Sequence, residues 1–307
     1  AWAKGEAIPG GDVGPDMKIV TPLDFYAVSD HAEWMGVFRL MEDPDSPLSK
    51  HPMAPRITSD DQNTAMQAFA EILREFSQPP GRLIDSSPMY GNAERVIGEL
   101  SAELGIGGRM FLATKVWTRG REAGIQQMEA SMRLLGSQRL DLIQIHNLVD
   151  WRTQLATLRE WKEADRVRYI GITHYLSDAF PALEKVMRAE PLDFVQLNYS
   201  VTTRDAEERL LPLAAERGIG VIVNRPFEDG TLFRRVRGRP LPGWAAEIGC
   251  ASWAQIFLKY IVSHPAVSCA IPSTSKPKHL RDNLAAGVGQ LPDATQRRRI
   301  RDQLADL

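Results

Sequence analysis

The sequence predicts an α/β protein of the (β/α)8 or TIM-barrel class, a closed parallel sheet with a helix after each strand. Three observations carry that expectation. From Ser59 onward, apolar strand-like runs alternate with amphipathic helical stretches at intervals of roughly 25 to 30 residues, the beat of a parallel sheet crossed by helices. No shift of composition divides the chain, so residues 58–307 are expected to form the barrel and residues 1–57 an atypical N-terminal segment of the same domain. No Gly-x-Gly-x-x-Gly follows any strand, which counts against the competing doubly wound open sheet.

The elements follow in order. In residues 1–57, Pro9-Gly10-Gly11-Asp12 and then Pro44, Pro47, Pro52 and Pro55 interrupt any period. Only Trp34 to Leu40 has the character of a strand there, and it would be the barrel's first. Ser59 to Phe76 sets Ala65, Ala68, Phe69, Ile72, Leu73 and Phe76 at helical spacing behind an acidic start. Arg82-Leu83-Ile84-Asp85 is a short apolar run closed by a carboxylate and broken by Ser86-Ser87-Pro88. Tyr90 stands in the turn, and Asn92 is placed to accept from the first amides of a helix opening near Ala93. The beat continues with strands Met110–Val116, Leu140–His146, Val167–Thr173, Asp193–Asn198, Gly220–Val223 and Val267–Ile271. Between and after them come helices Glu122–Leu135, Arg152–Ala164, Ala179–Arg188, Ala206–Arg217, Ser252–Ser263 and Lys278–Ala286. A loop rich in Arg and Gly precedes the helix at Ser252. Asp293 to Leu307 reads as a charged, amphipathic terminal helix on the solvated side.

Bulk composition excludes several function classes. The 307 residues are 43% hydrophobic and 25% charged, ordinary for a soluble globular protein. Lys+Arg of 37 against Asp+Glu of 39 gives a formal charge of -2, so no global field favours nucleic acid or an anionic membrane. Cys250 and Cys269 make neither a disulfide framework nor a zinc spacing, and no His-Glu-x-x-His occurs. No apolar run approaches the roughly twenty residues of a membrane span. A cytoplasmic location is expected. Because the chain starts at Ala1 without Met, removal of a signal peptide, with a periplasmic location, is the alternative.

In such a barrel, chemistry collects at the carboxyl ends of the strands. Asp85, Lys115 and His146 close three successive strands; Thr173-His174, Gln196 with Asn198, Asn224-Arg225 and Ser273-Thr274 close later ones. Each has a plain structural explanation taken singly: a solvated strand end, a satisfied histidine, a helix cap. A succession of polar residues ending apolar strands would be costly in an ordinary core, where every buried polar group needs a partner. Asp85, Tyr90, Lys115 and His146 also make chemical sense together. A phenol with a pKa of about 10 is a poor acid at neutral pH unless its phenolate is stabilised. An ammonium about 4 Å away at an effective dielectric of about 20 contributes on the order of 4 kcal/mol, equivalent to roughly three pH units. Asp85 would keep Lys115 charged, and His146 would orient a carbonyl oxygen beside Tyr90. The group has a proton donor and an oxygen-polarising pair but no hydride source, which points to a nicotinamide cofactor.

These residues resemble the aldo-keto reductase family from about Ser59 to Gly287. Asp85 followed by Tyr90-Gly91-Asn92-Ala93-Glu94 is similar to its Asp and Tyr-Gly-x-x-Glu signature, and Thr114-Lys115 and Ile145-His146 to its lysine and histidine motifs. The resemblance implies a catalytic tetrad of Asp85, Tyr90, Lys115 and His146, with Tyr90 the general acid in carbonyl reduction and the general base in alcohol oxidation. It implies cofactor contacts at Gln196, on the nicotinamide carboxamide, and at His174, where an Asn is usual. Asn224-Arg225-Pro226 stands where many members carry an aromatic residue and Ser before Pro. Ser273, Thr274, Lys276, His279 and Asn283 fall in the segment that holds the adenosine end; Ser273 and His279 take the places of a usual Lys and Arg. Lys276 is then the charge opposite a 2'-phosphate, so NADPH is expected over NADH. The loop from Pro226 to Trp244, with Arg234, Arg235, Arg237 and Arg239, is expected as a basic clamp over the dinucleotide. Trp117, Leu148, Trp151 and Phe227 are candidates for an apolar substrate wall. Residues 1–57 depart from the family's opening hairpin and Gly-rich first strand.

The expected activity is thus NAD(P)H-dependent reduction of a small aldehyde or ketone, without metal. Two other readings stand beside it: a Schiff-base aldolase with Lys115 as nucleophile, and a nucleotide-sensing regulatory subunit, a role some proteins resembling this fold play.

Overall fold

The structure, a computed structural model, describes residues 83–274 and 276–305. The expected segment 1–57, its strand at Trp34–Leu40 and the helix Ser59–Phe76 lie outside them. The chain separates into two compact units, one holding the described residues up to Ile170 with Ser273–Leu280, the other Gly171–Pro272 with the described residues from Arg281.

In the first unit, β1 (Leu83–Asp85), β2 (Phe111–Val116) and β3 (Leu140–His146) pair in parallel in chain order. Helix α1 (Ala93–Glu103) joins the first two, and α2 (Arg121–Leu135) the second pair; α3 (Trp151–Glu163) leads on to β4 (Val167–His174), whose last four residues open the second unit. Leu142, Ile143 and Ile145 are all 0% exposed. Burial on both faces is what a parallel strand flanked by helices demands, and it explains why the strand reads as an apolar run rather than an alternation. Asn92 precedes α1 but makes no side-chain cap, against the expectation. Its backbone carbonyl instead accepts from Val96 at 3.0 Å, the ordinary first bond of the helix.

Helices α1 and α2 touch at Gly98. A Cβ there would lie 2.0 Å from the backbone oxygen of Leu134, which no side-chain motion relieves. Gly98→Ala is therefore expected to lower stability by about 1–3 kcal/mol, read as a lower urea midpoint at unchanged slope. A midpoint equal to that of the parent would show that the helices are not in close contact.

In the second unit, β4, β5 (Phe194–Asn198), β6 (Gly220–Asn224) and β7 (Cys269–Ala270) again pair in parallel in chain order. β7 is shorter than the predicted Val267–Ile271, although Ser268 and Ile271 still donate to Val221 and Val223 at 2.9 Å each. Helix α4 (Phe180–Ala189) precedes β5. The helix predicted over Ala206–Arg217 is divided: a 3-10 turn at Asp205–Glu207, then α5 (Leu210–Arg217). Pro212 is the cause, since proline has no N–H to donate and fits only in the first turn. Gly218, at φ 66, ends α5 in the left-handed region and starts β6 two residues later. The Arg- and Gly-rich loop contains a short helix, α6 (Thr231–Arg235), and a 3-10 segment at Gly243–Ile248. Ser252 caps α7 (Trp253–Val262) by accepting from Gln255 N at 3.1 Å. Helix α8 (Pro277–Ala285) and α9 (Ala294–Ala305) complete the chain.

Helix α9 is less solvated than its charge predicts. Ile300 and Leu304 are buried, and Arg297 donates to Ser263 Oγ and Tyr199 Oη at 2.8 Å and to Glu207 at 3.1 Å. Cys250 and Cys269 are both buried. Among the described residues no helix is long and apolar enough to cross a membrane.

Candidate active site

The first unit brings Asp85, Tyr90, Lys115 and His146 to the carboxyl ends of β1, β2 and β3. Asp85 pairs with Ala113, Ala113 with Leu142 and Lys115 with Gln144. Since strand residues two apart share a face, Asp85, Lys115, Gln144 and His146 project to the same side of the sheet. The turn after β1 closes through Tyr90 N to Ser87 O at 2.9 Å, which carries the phenol back over the strand ends.

Lys115 is the centre of the group. It is 0% exposed, as is Asp85. Its ammonium donates to Asp85 Oδ2 and, at 2.8 Å, to the carbonyl of Ser86, and it lies 5.0 Å from the centroid of the Tyr90 ring. Burial pulls the group toward its neutral form. The Asp85 charge, the Tyr90 phenol and hydrogen bonds to both outweigh that, leaving its pKa above the ordinary lysine value. Asp85, Ser86 and Tyr90 together use the three protons of an ammonium.

His146 sets its ring edge-on to Tyr90, centroids 6.3 Å apart, and 6.1 Å from the ring of Trp117. Its Nδ1 lies 3.3 Å from Ser87 Oγ, which also receives the Met89 N–H at 3.4 Å. When the Ser87 hydroxyl donates to Nδ1, the imidazole carries its own proton on Nε2.

The loops behind the site are tied down. Asn147, Leu148 and Asp150 all adopt φ between 46° and 56°, a region costly for a leucine above all, and such strain gathers at functional sites. Asp150 holds this turn to the loop after β2 by accepting from Gly120 N at 2.8 Å. Gln154 donates to the carbonyls of Thr118 and Gly120. Below Lys115, the buried Glu94 accepts from Thr114 Oγ1 and Ser131 Oγ, linking α1, β2 and α2. Burial raises its pKa more than the two hydroxyls and Lys115 lower it. The sequence reading did not single out Gln144, Ser87 or Ser86 as parts of this site.

The predicted cofactor residues fall in both units. Ser273, Thr274, Lys276 and His279 belong to the first; Thr274 Oγ1 accepts from Lys276 N at 3.2 Å. Burial, followed by the neighbouring Lys278 charge, lowers the pKa of Lys276. His174, Gln196, Asn224, Arg225 and Asn283 belong to the second. There Gln196 Oε1 accepts from Thr173 Oγ1 at 3.2 Å, and Asn198 and Asn224 are register partners whose buried Oδ1 atoms have no donor. His174 Nδ1 accepts from Leu176 N at 3.2 Å, burial lowers its pKa, and its ring stacks on Tyr175 at 5.6 Å. Arg225, at φ 49, pairs with Asp229 and lies 5.7 Å from the Tyr175 ring. Of the proposed substrate wall, Trp117 is exposed and Leu148 and Trp151 are half-buried in the first unit. In the second unit Phe227 packs against Phe233 and Phe257. Among the described residues no group of three His, Cys, Asp or Glu side chains could hold a metal ion.

Parallel βα units thus carry an acid, a phenol, an ammonium and an imidazole together at their carboxyl ends, as in a barrel whose chemistry collects there. Comparison with known proteins agrees. The family model described as the aldo/keto reductase family matches residues 55–300, and a model for proteins of unknown function matches residues 1–88. The methylglyoxal reductase YeaE of Escherichia coli (strain K12) is 28% identical over 219 residues, 69% of this chain and 76% of that protein. A thermostable aldo-keto reductase, Tm1743, solved with the inhibitor epalrestat, superposes with a TM-score of 0.68 at 20% identity, over 97% of this chain and 99% of that one. An aldo/keto reductase of Klebsiella pneumoniae, solved with NADP and acetate, gives a TM-score of 0.67 at 22% identity, over 78% and 86%. The chain belongs to the aldo/keto reductase family, has its (β/α)8 fold and is by that membership an oxidoreductase.

Proposed function

We propose that this protein reduces the carbonyl of small aldehydes or ketones to alcohols with NADPH, using Tyr90 as the proton donor. The observation that carries this reading is the buried Lys115 ammonium, held by Asp85 and Ser86 and hydrogen-bonded to Tyr90. In reduction the carbonyl oxygen gains negative charge as carbon accepts hydride, and it must take a proton. Tyr90 donates that proton, and the phenolate it leaves is stabilised by Lys115. His146, carrying its proton on Nε2, donates a hydrogen bond to the same oxygen and fixes its approach. The bound nicotinamide would supply the hydride, which no side chain can.

The residues present fit that cofactor. The amide of Gln196, oriented by Thr173, and the donorless Oδ1 atoms of Asn198 and Asn224 suit a carboxamide, which both donates and accepts. His174, neutral with Nδ1 accepting, has its N–H on Nε2, a donor like that of the Asn it replaces. Arg225 would add a planar cation at the nicotinamide end. Ser273, Thr274, Lys276, His279 and Asn283 would hold the adenosine end, with the Lys276 cation facing the 2'-phosphate. Arg234, Arg235, Arg237 and Arg239 would lie over the diphosphate. The name of the Escherichia coli relative, a methylglyoxal reductase, supports reduction of a small carbonyl, and the NADP in the Klebsiella pneumoniae structure supports the cofactor.

An aldolase role for Lys115 is disfavoured, because a Schiff-base lysine attacks as the neutral amine and this one is held as an ammonium. Titration of the protein with NADPH and NADH, followed by a panel of aldehydes and ketones monitored at the cofactor absorbance, tests the proposal. NADPH should bind at least tenfold more tightly than NADH at low salt and be consumed with a carbonyl. Absence of binding by either dinucleotide would overturn it.

A further inference from the structure

We propose that Gln144 is a positioning residue of this site, acting through Asp85 to set how strongly Lys115 stabilises the Tyr90 phenolate. The inference rests on the reading of Tyr90 as proton donor and adds a fifth member to the group. Gln144 is 0% exposed in the middle of β3, between Ile143 and Ile145, which are also 0% exposed. A primary amide in such a place is costly unless its polar atoms are used. It is the register partner of Lys115, and its Nε2 donates to Asp85 Oδ1 at 2.8 Å. The other carboxylate oxygen, Oδ2, accepts from Lys115. One carboxylate is thus shared between a neutral donor and a cation.

That division has a consequence for the phenol. The amide carries part of Asp85's negative charge without bringing positive charge of its own. The carboxylate therefore cancels less of the Lys115 field, and more of it reaches Tyr90. Remove the amide and Asp85 draws more fully on Lys115 for its compensation. The ammonium becomes a weaker partner for the phenolate, and Tyr90 a weaker acid. Among the described residues, the charged and titratable groups that face Lys115 and Tyr90 are Asp85 from β1, Tyr90 itself from the turn, Glu94 from α1 and His146 from β3. Of these, substitution at 144 acts directly on Asp85, whose Oδ1 it deprives of a donor.

Gln144→Met removes the donor at similar length. The direct readout is the phenolate absorbance of Tyr90 in the cofactor-free protein, isolated by subtracting the same titration of Tyr90→Phe. Burial raises the pKa of Tyr199 and Tyr260, so neither interferes at moderate pH. The Tyr90 midpoint should rise by about one pH unit in Gln144→Met, and kcat at neutral pH should fall about tenfold. The alkaline limb of kcat should move up with the midpoint, while KM and NADPH affinity stay within about twofold. Gln144→Glu restores a donor only while its carboxyl is protonated. It should match the parent at low pH, whereas at high pH its carboxylate adds a negative charge beside Asp85 and should raise the Tyr90 midpoint at least as far as Gln144→Met does; it carries the test alone if Gln144→Met does not fold. A folded variant with an unmoved Tyr90 midpoint overturns the proposal, as does a loss of kcat with no shift of the pH limb, which a purely structural role would give. Because the titration needs no turnover, it reads Gln144 even if the parent reduces no carbonyl. That result would instead defeat the functional reading.

Discussion

Tyr90→Phe is expected to lower kcat for carbonyl reduction about 10³-fold, with NADPH affinity unchanged within about twofold. The side chain is half-buried and Phe keeps its ring, so the edge-on packing against His146 survives and only the hydroxyl is lost. A factor of 10³ corresponds to about 4 kcal/mol of barrier, within reach of one positioned proton donor. The residual rate would come from protonation by water at an oxygen still held by His146 and close to Lys115. The pH dependence discriminates further: the parent should lose kcat as pH rises through the Tyr90 midpoint, and the variant should show no such limb. Single-turnover and steady-state rates with one aldehyde across pH would measure both. A variant that keeps more than a tenth of the parental kcat would remove Tyr90 from the mechanism and shift attention to His146.

Three of the four grouped side chains were legible in the sequence because each interrupts an apolar run at its end. Asp85, Lys115 and His146 stand where a strand's hydrophobic pattern breaks, and the structure joins Asp85 to Lys115 and sets the His146 ring beside Tyr90. Gln144 was hidden for the opposite reason. It sits inside an apolar run, and what gives it a role is a carboxylate on another strand, which no local pattern encodes; its two-residue spacing from His146 was the signal available. Ser86 acts through its backbone carbonyl, so its side chain carries no information about the bond to Lys115. Ser87 looked like turn chemistry, and it is that as well, accepting from Met89 while facing His146. The seven strands were read from apolar runs, a pattern that burial on both faces explains, whereas boundaries shifted where one residue overrode the period, as Pro212 does in α5. The charge of α9 misled in another way. Arg297 reads as a solvated cation but has acceptors on β5's following residue Tyr199, on Glu207 and on α7's following residue Ser263, and a long side chain with five donors can serve all three.

Lys115→Met is expected to have the second large effect, on stability and activity together. The substitution removes an ammonium from a fully buried pair and leaves the Asp85 carboxylate in place, a change that costs about 3–5 kcal/mol in comparable sites. The Tyr90 phenolate loses its cation, so kcat should fall by at least about 10²-fold even in the molecules that fold. The pH dependence of the stability difference has a definite sign. The folded-state pKa of Lys115 is raised, since Asp85 and Tyr90 outweigh the burial that would lower it. Its contribution is therefore fully present below the unfolded lysine value of about 10.5 and is lost only as pH rises through the folded value. The gap between parent and variant in urea midpoint should be level across neutral pH and close above about pH 10.5. Pairing Lys115→Met with Asp85→Asn separates the two effects. The neutral pair no longer buries an uncompensated charge, so most of the stability should return, while activity should not, because neither replacement stabilises a phenolate. Recovery of activity along with stability in the double variant would mean that Lys115 serves the fold alone.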